Sequence, residues 1–196
     1  MLFFNNILVL DVAESGVIIV HEALNYWSIM LKIRFPGKCL TPKQKFIVKK
    51  ALHFYLDKLV SKRLKDTLSI RIVVTRDLLQ TSEVEGDVVP TEFADSRRPR
   101  EFEMRIHYHN ATRFDEVLTA IAHETVHIKQ FARSELSSFE SSGGKQRFMG
   151  KLYKVNEDSY WDLPWEIEAH GRERGLYQRF ILTDRDIWNY CEQKSK

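Results

Sequence analysis

The residues in this chain whose types and spacing suit chemistry stand at His123-Glu124-Thr125-Val126-His127. They fall inside a run from Phe114 to Phe131 that reads as one amphipathic helix. Residues four apart on an α-helix lie on one face, so the two imidazoles are presented to one point in space. Glu124 is turned by about 100° from His123. Two imidazole ligands and a nearby carboxylate able to take a proton from water are the core of a zinc hydrolase site.

The surroundings favour that reading over a surface helix with two incidental histidines. Thr125 and Val126 are uncharged, and Ala122 and Ile128 flank the motif with apolar side chains. Thr112 followed by Asp115 forms a plausible capping box before the apolar run. Phe114, Val117, Leu118, Ile121 and Ile128 cluster on the wheel opposite the histidines. The pattern predicts one helix face for a core and another free for chemistry.

A site on two histidines needs a third protein ligand. Asp162-Leu163-Pro164 is a second helix start, with Pro in the first turn and acids near the positive end of the dipole. This helix should run to about Leu182. Ala169, Leu176, Tyr177 and Phe180 define its inward side, with Glu166, His170 and Glu173 on or beside it. A carboxylate facing an apolar interior is costly unless it is paired or binds a metal, so Glu166 is the preferred third ligand. His170 and Glu168 are the alternates, Glu168 falling with Arg172 and Arg179 on the charged side. The competing reading of Glu166 is a surface acid favoured by the helix dipole. Glu173 is expected to orient a histidine ligand from behind. His170, Tyr160 and His107 are candidates to stabilise an oxyanion.

The other elements must position these groups. Ile7–Val12 and Val17–Val20 suggest a hairpin, whereas residues 21–34 are ambiguous between helix and strand. His21-Glu22 begins like a second motif, but Asn25 stands where its second histidine would be. Thr41-Pro42 opens a helix with apolar residues at helical spacing and lysines over much of the rest. Leu68–Thr75 reads as a strand and residues 76–101 as a long loop. Phe102–His109 alternates strictly, putting His107 and His109 on its polar face, where a metal pair is geometrically possible and a solvated face is the commoner outcome. Residues 133–162, with Ser141-Ser142-Gly143-Gly144, read as loop. The expected class is α+β: one domain over 1–196, with a β-rich elaboration over 1–40 and a catalytic core over 68–182. The core is a small antiparallel or mixed sheet packed on the motif helix and on a second ligand-bearing helix.

The 43% hydrophobic and 29% charged composition is ordinary for a globular domain, and a formal charge of +3 is too small to argue for nucleic acid alone. Cys39 and Cys191 have no CxxC partner and form no framework, which favours a reducing compartment. The N-terminus is a poor signal peptide and no apolar run has membrane-spanning length, so a cytoplasmic location (the host cytoplasm, if phage-encoded) without membrane contact is expected.

On these residues the chain resembles a zincin metallopeptidase of the gluzincin type. In that group a glutamate on a later helix is followed by a small residue three positions on and a polar one four positions on. Glu166, Ala169 and His170 match that pattern. The resemblance covers roughly residues 68–182 as an order of elements, and strand Phe102–His109 would correspond to the edge strand along which a peptide lies. His170 stands where gluzincins commonly have Asp. That leaves open a role as second-shell residue, oxyanion stabiliser or third ligand, the last as in SprT-like proteases with three histidines. Compact HExxH proteins of phages and plasmids and ImmA/IrrE-like regulators are similar in the same sense. The resemblance implies zinc as cofactor, a polypeptide substrate and Glu124 as general base. Two rivals stand beside it: a non-catalytic, zinc-stabilised binding module, and a SprT-like protease acting on nucleic-acid-associated proteins. Substrate identity, biological process and oligomeric state are not legible at this level.

Overall fold

The computed structural model describes residues 31–75, 86–91, 97–107, 113–138, 145–155 and 157–193. The hairpin expected over 7–20, His21, the Thr112 cap, Ser141–Gly144, His109 and the His107 side chain lie outside them. Strand β1 is Lys32–Arg34, helix α1 Pro42–Leu59, the short helix α2 Lys62–Lys65 and strand β2 Ser69–Thr75. Strands β3 (Gly86–Pro90) and β4 (Glu101–His107) lead into α3 (Phe114–Ala132). Short strands β5 (Leu136–Ser138), β6 (Lys145–Phe148) and β7 (Lys151–Lys154) follow, then a 3₁₀ turn (Glu157–Asp162), α4 (Pro164–Ile181) and α5 (Arg185–Gln193). The fold is α+β.

The main sheet is mixed, in the order β1-β2-β4-β3. β1, β2 and β4 run parallel, and β3 returns antiparallel on β4 with Gly86 opposite Ile106. Parallel neighbours require a crossover, which α1 supplies between β1 and β2. Thr41 caps α1 as its sequence indicated: its Oγ1 accepts from Gln44 N at 3.2 Å, and Gln44 Oε1 accepts from Thr41 N at 2.9 Å. Ile70, Ile72, Phe102, Met104 and Ile106 belong to the main core, whose members range from Leu31 to Cys191, and Leu136, Leu163 and Trp165 form a second, smaller cluster.

Three expectations need correction. β4 is an interior strand, hydrogen-bonded by β2 on one side and β3 on the other. Among the described residues the edge beside it is β3, five residues from within the stretch read as loop. The segment 133–162 also carries structure, since β5, β6 and β7 form a three-stranded antiparallel sheet. Finally, α3 has no free face. It packs against α1, α4, β3, β4 and β5 and is buried almost all round.

Helix α3 starts at Arg113, whose N–H donates to Glu116 Oε2 at 3.1 Å, so Glu116 rather than Asp115 closes the first turn. Its end is a left-handed turn at Ser134 (φ 59°). Ser134 N bonds back to Phe131 O at 2.9 Å and Glu135 N to Gln130 O at 2.8 Å, the Schellman arrangement. This fold-back returns the Glu135 carboxylate to Lys129 and Arg133 on the helix it has just left.

Candidate metal centre

The two histidines of α3 point at α4. Their Nε2 atoms lie 3.0 Å apart, with Glu166 Oε2 at 3.3 Å from His123 and 3.5 Å from His127. All three side chains are buried, and one ligand atom from each falls within 4.8 Å of the others. This cluster could hold a metal ion. Glu166 is one turn into α4, on the side facing α3, where the wheel placed it.

Each imidazole is fixed from behind. His123 Nδ1 lies 2.8 Å from Glu173 Oε2, and His127 Nδ1 lies 2.8 Å from Gln130 Oε1. Glu173 therefore occupies the orienting position expected of it. Gln130 was not singled out, although its signal was local: a polar residue three positions after His127, on the same helix face. A carboxylate or amide oxygen behind Nδ1 holds the hydrogen there and leaves Nε2 for the cluster.

Glu168 and His170 stand apart from the triad. Glu168 Oε1 accepts from Lys129 at 2.8 Å and lies 2.9 Å from Arg172 Nε, while Oε2 accepts from Gln130 Nε2 at 3.1 Å. Glu168 is thus held against α3 while Arg172 and Arg179 on the same side stay exposed, and Glu168 meets the site through Gln130. His170 Nδ1 lies 3.2 Å from Glu173 Oε2, and its ring centroid is 4.5 Å from that of His123. With His123 and Glu173 it forms a second, less buried donor group. Its Nε2 is buried without a hydrogen-bond partner among the described residues. Trp161 stacks on His170 with centroids 4.9 Å apart while remaining 71% exposed. Tyr160 OH donates to Glu166 Oε2 at 2.8 Å.

Burial works against charge on Glu166, but bonds from His123, His127 and Tyr160 hold its carboxyl well below the usual carboxylate range. Burial likewise opposes charge on His123, yet Glu166 and Glu173 raise its imidazole to about 10. His127 is also raised, by Glu166 and Glu124 against burial. Glu124 behaves oppositely. It is 4% exposed, and burial lifts its carboxyl to about 7, with His127 and His123 pulling the other way. A carboxyl poised there can take and return a proton near neutrality.

Gly86, at the start of β3, reaches this carboxyl. A β-carbon there would stand 2.9 Å from Ile106 Cδ1, 3.2 Å from Arg105 O and 3.3 Å from Glu124 Oε1. Only a glycine lets the edge strand approach Glu124 so closely. In the sequence it falls within the stretch 76–101 read as a long loop.

Part of the lysine-rich helix α1 is engaged within the chain. Lys45 donates to Gly37 O at 2.8 Å and Lys50 pairs with Asp184 at 3.1 Å, while Lys65 on α2 pairs with Asp57 of α1. Among the described residues no helix is long and apolar enough to cross a membrane. Comparison with protein-family models finds no match, and comparisons with curated proteins and with solved structures find no significant match.

Proposed function

We propose that this chain is a zinc-dependent metallopeptidase of the zincin type, with His123, His127 and Glu166 as ligands. The observation that carries the proposal is the convergence of two imidazole Nε2 atoms and one carboxylate oxygen beside a buried carboxyl poised near neutrality. Two nitrogens and one oxygen from three side chains are a catalytic zinc donor set, which leaves a coordination position for water or substrate. The second nitrogen of each histidine is already bonded to Glu173 or Gln130, as metal-binding imidazoles require.

When bound, zinc supplies a Lewis acid that polarises a carbonyl and brings the pKa of water to about 7. Glu124 then manages the proton. Its carboxylate accepts one from the attacking water and returns it to the departing amine, so that hydroxyl adds to the carbonyl carbon as the C–N bond breaks. With Nδ1 against the Glu173 carboxylate, His170 would bond a developing oxyanion only as an imidazolium, through a hydrogen on its buried Nε2; Tyr160 OH is committed to Glu166. The polypeptide would add to the outer edge of β3, whose first residue abuts Glu124.

The competing reading is a binding module stabilised by a structural zinc. Metal content and peptide hydrolysis of wild type, Glu166→Ala and Glu124→Gln decide between them. A metallopeptidase loses zinc in Glu166→Ala, and in Glu124→Gln keeps zinc while losing hydrolysis by two or more orders of magnitude, about 10²–10⁴-fold. A wild-type protein that holds zinc and cleaves no peptide in an unbiased library would leave the binding module standing.

A further inference from the structure

We propose that Gln130 is a positioning residue for this metal centre: the chain Lys129–Glu168–Gln130, buried at Lys129 and Gln130, dictates which nitrogen of His127 faces Glu166. The inference rests on the metal-binding reading above. It is carried by the hydrogen-bond chemistry of one amide that has no access to solvent.

Gln130 Nε2 lies 3.0 Å from Trp165 O and 3.1 Å from Glu168 Oε2. Both partners are oxygens that only accept. Turning the amide over would set its oxygen against a carbonyl and a carboxylate with no hydrogen between them, a loss that burial makes severe. The NH₂ group must therefore face α4, and Oε1 must face His127 Nδ1, at 2.8 Å. That oxygen accepts only, so Nδ1 carries the hydrogen and Nε2 offers its lone pair to the cluster.

Glu168 is itself fixed. Lys129 Nζ lies 2.8 and 3.0 Å from its two oxygens. Lys129 is buried, and its remaining charge is answered by Glu135, which the left-handed turn at Ser134 folds back beneath the helix. An ion pair remote from the triad thus acts on one ligand through a neutral amide. At His123 the same task falls to a carboxylate, Glu173, in direct contact. The two imidazoles are oriented by different means, and only His127 depends on a relay.

The test measures Zn²⁺ affinity by chelator competition and the visible spectrum of the Co²⁺-loaded protein, for wild type, Gln130→Met, Glu168→Ala and Glu168→Gln. Folding is checked by circular dichroism. Gln130→Met is expected to bind Zn²⁺ roughly 10- to 100-fold more weakly, with an altered Co²⁺ spectrum. Glu168→Ala, which touches no triad atom, should weaken binding in the same direction, and Glu168→Gln should recover most of it because its amide oxygen still accepts from Gln130. If Gln130→Met does not fold, the Glu168 pair decides alone. Wild-type affinity and an unchanged spectrum in the folded variants would overturn the inference while leaving the metal centre intact. A wild-type chain that takes up no Zn²⁺ would overturn the metal reading and the inference with it.

Discussion

His123 Nε2 and His127 Nε2 stand 3.0 Å apart, too close for two bare lone pairs. A proton or a cation must lie between or beside them. In the metal-free protein the proton serves, and the two glutamates flanking His123 hold its imidazole charged up to about 10 despite burial. Zinc requires both imidazoles neutral, so loading it near neutrality must expel protons. Titration calorimetry at pH 7.5 in buffers of different ionisation enthalpy should show at least one proton released per zinc bound, with affinity rising as pH approaches 10. Binding without proton release would contradict this arrangement.

Glu124 predicts an opposite trade between stability and pH. Its folded-state pKa is raised to about 7 by burial, above the ordinary 4.5 of a glutamate. Its contribution to stability is therefore fully present below about 4.5 and is lost as pH rises through about 7. Glu124→Gln removes the buried charge. The metal-free variant should exceed metal-free wild type in stability at pH 8 by on the order of 3 kcal/mol and match it at pH 4, as read by urea denaturation. Equal stabilities at pH 8 would mean that the carboxyl is solvated there.

Gly86→Ala tests how tightly the edge strand is set against the site. The new methyl group meets a flexible side chain at Ile106 and a backbone oxygen at Arg105. A loss of about 1–3 kcal/mol is expected, as for overpacking elsewhere. Gly86→Ala should also lower peptide hydrolysis, and shortening the obstacle in Gly86→Ala/Ile106→Val should recover part of the stability but not the hydrolysis, because the approach to Glu124 Oε1 is unchanged. Full recovery of both would detach Gly86 from the site.

Trp161 offers an exposed ring stacked on His170 at the rim of the cluster. Trp161→Ala should raise KM for peptides with a large apolar residue near the scissile bond and leave Zn²⁺ affinity unchanged. An effect on zinc rather than on KM would assign Trp161 to holding the site together instead.

What could be read in advance was what repeats locally. His123, Glu124, His127, Glu166 and Glu173 are placed by helical spacing alone, and the alternation of Phe102, Met104 and Ile106 marks β4. β3 escaped notice because Gly-Asp-Val-Val-Pro is short, begins and ends with residues that usually break structure, and is a strand only because β4 pairs with it. The burial of the motif helix, the reach of Glu168 to Gln130 and the approach of Gly86 to Glu124 are relations between distant segments. No local pattern encodes them.

The enclosure of α3 bears on the order in which the protein is assembled. Its backbone is gripped by two helices and three strands through an apolar core, and Tyr55 OH on α1 donates to Leu118 O on α3 at 3.2 Å. The ligands are thus carried by elements that have their own reasons to pack. Chelation should empty the site without melting the domain, and the amide hydrogens of 114–132 should remain among the slowest to exchange in the stripped protein. Metal would then arrive late, at a socket already shaped, so that cation supply would switch the proposed activity without disturbing the protein's abundance.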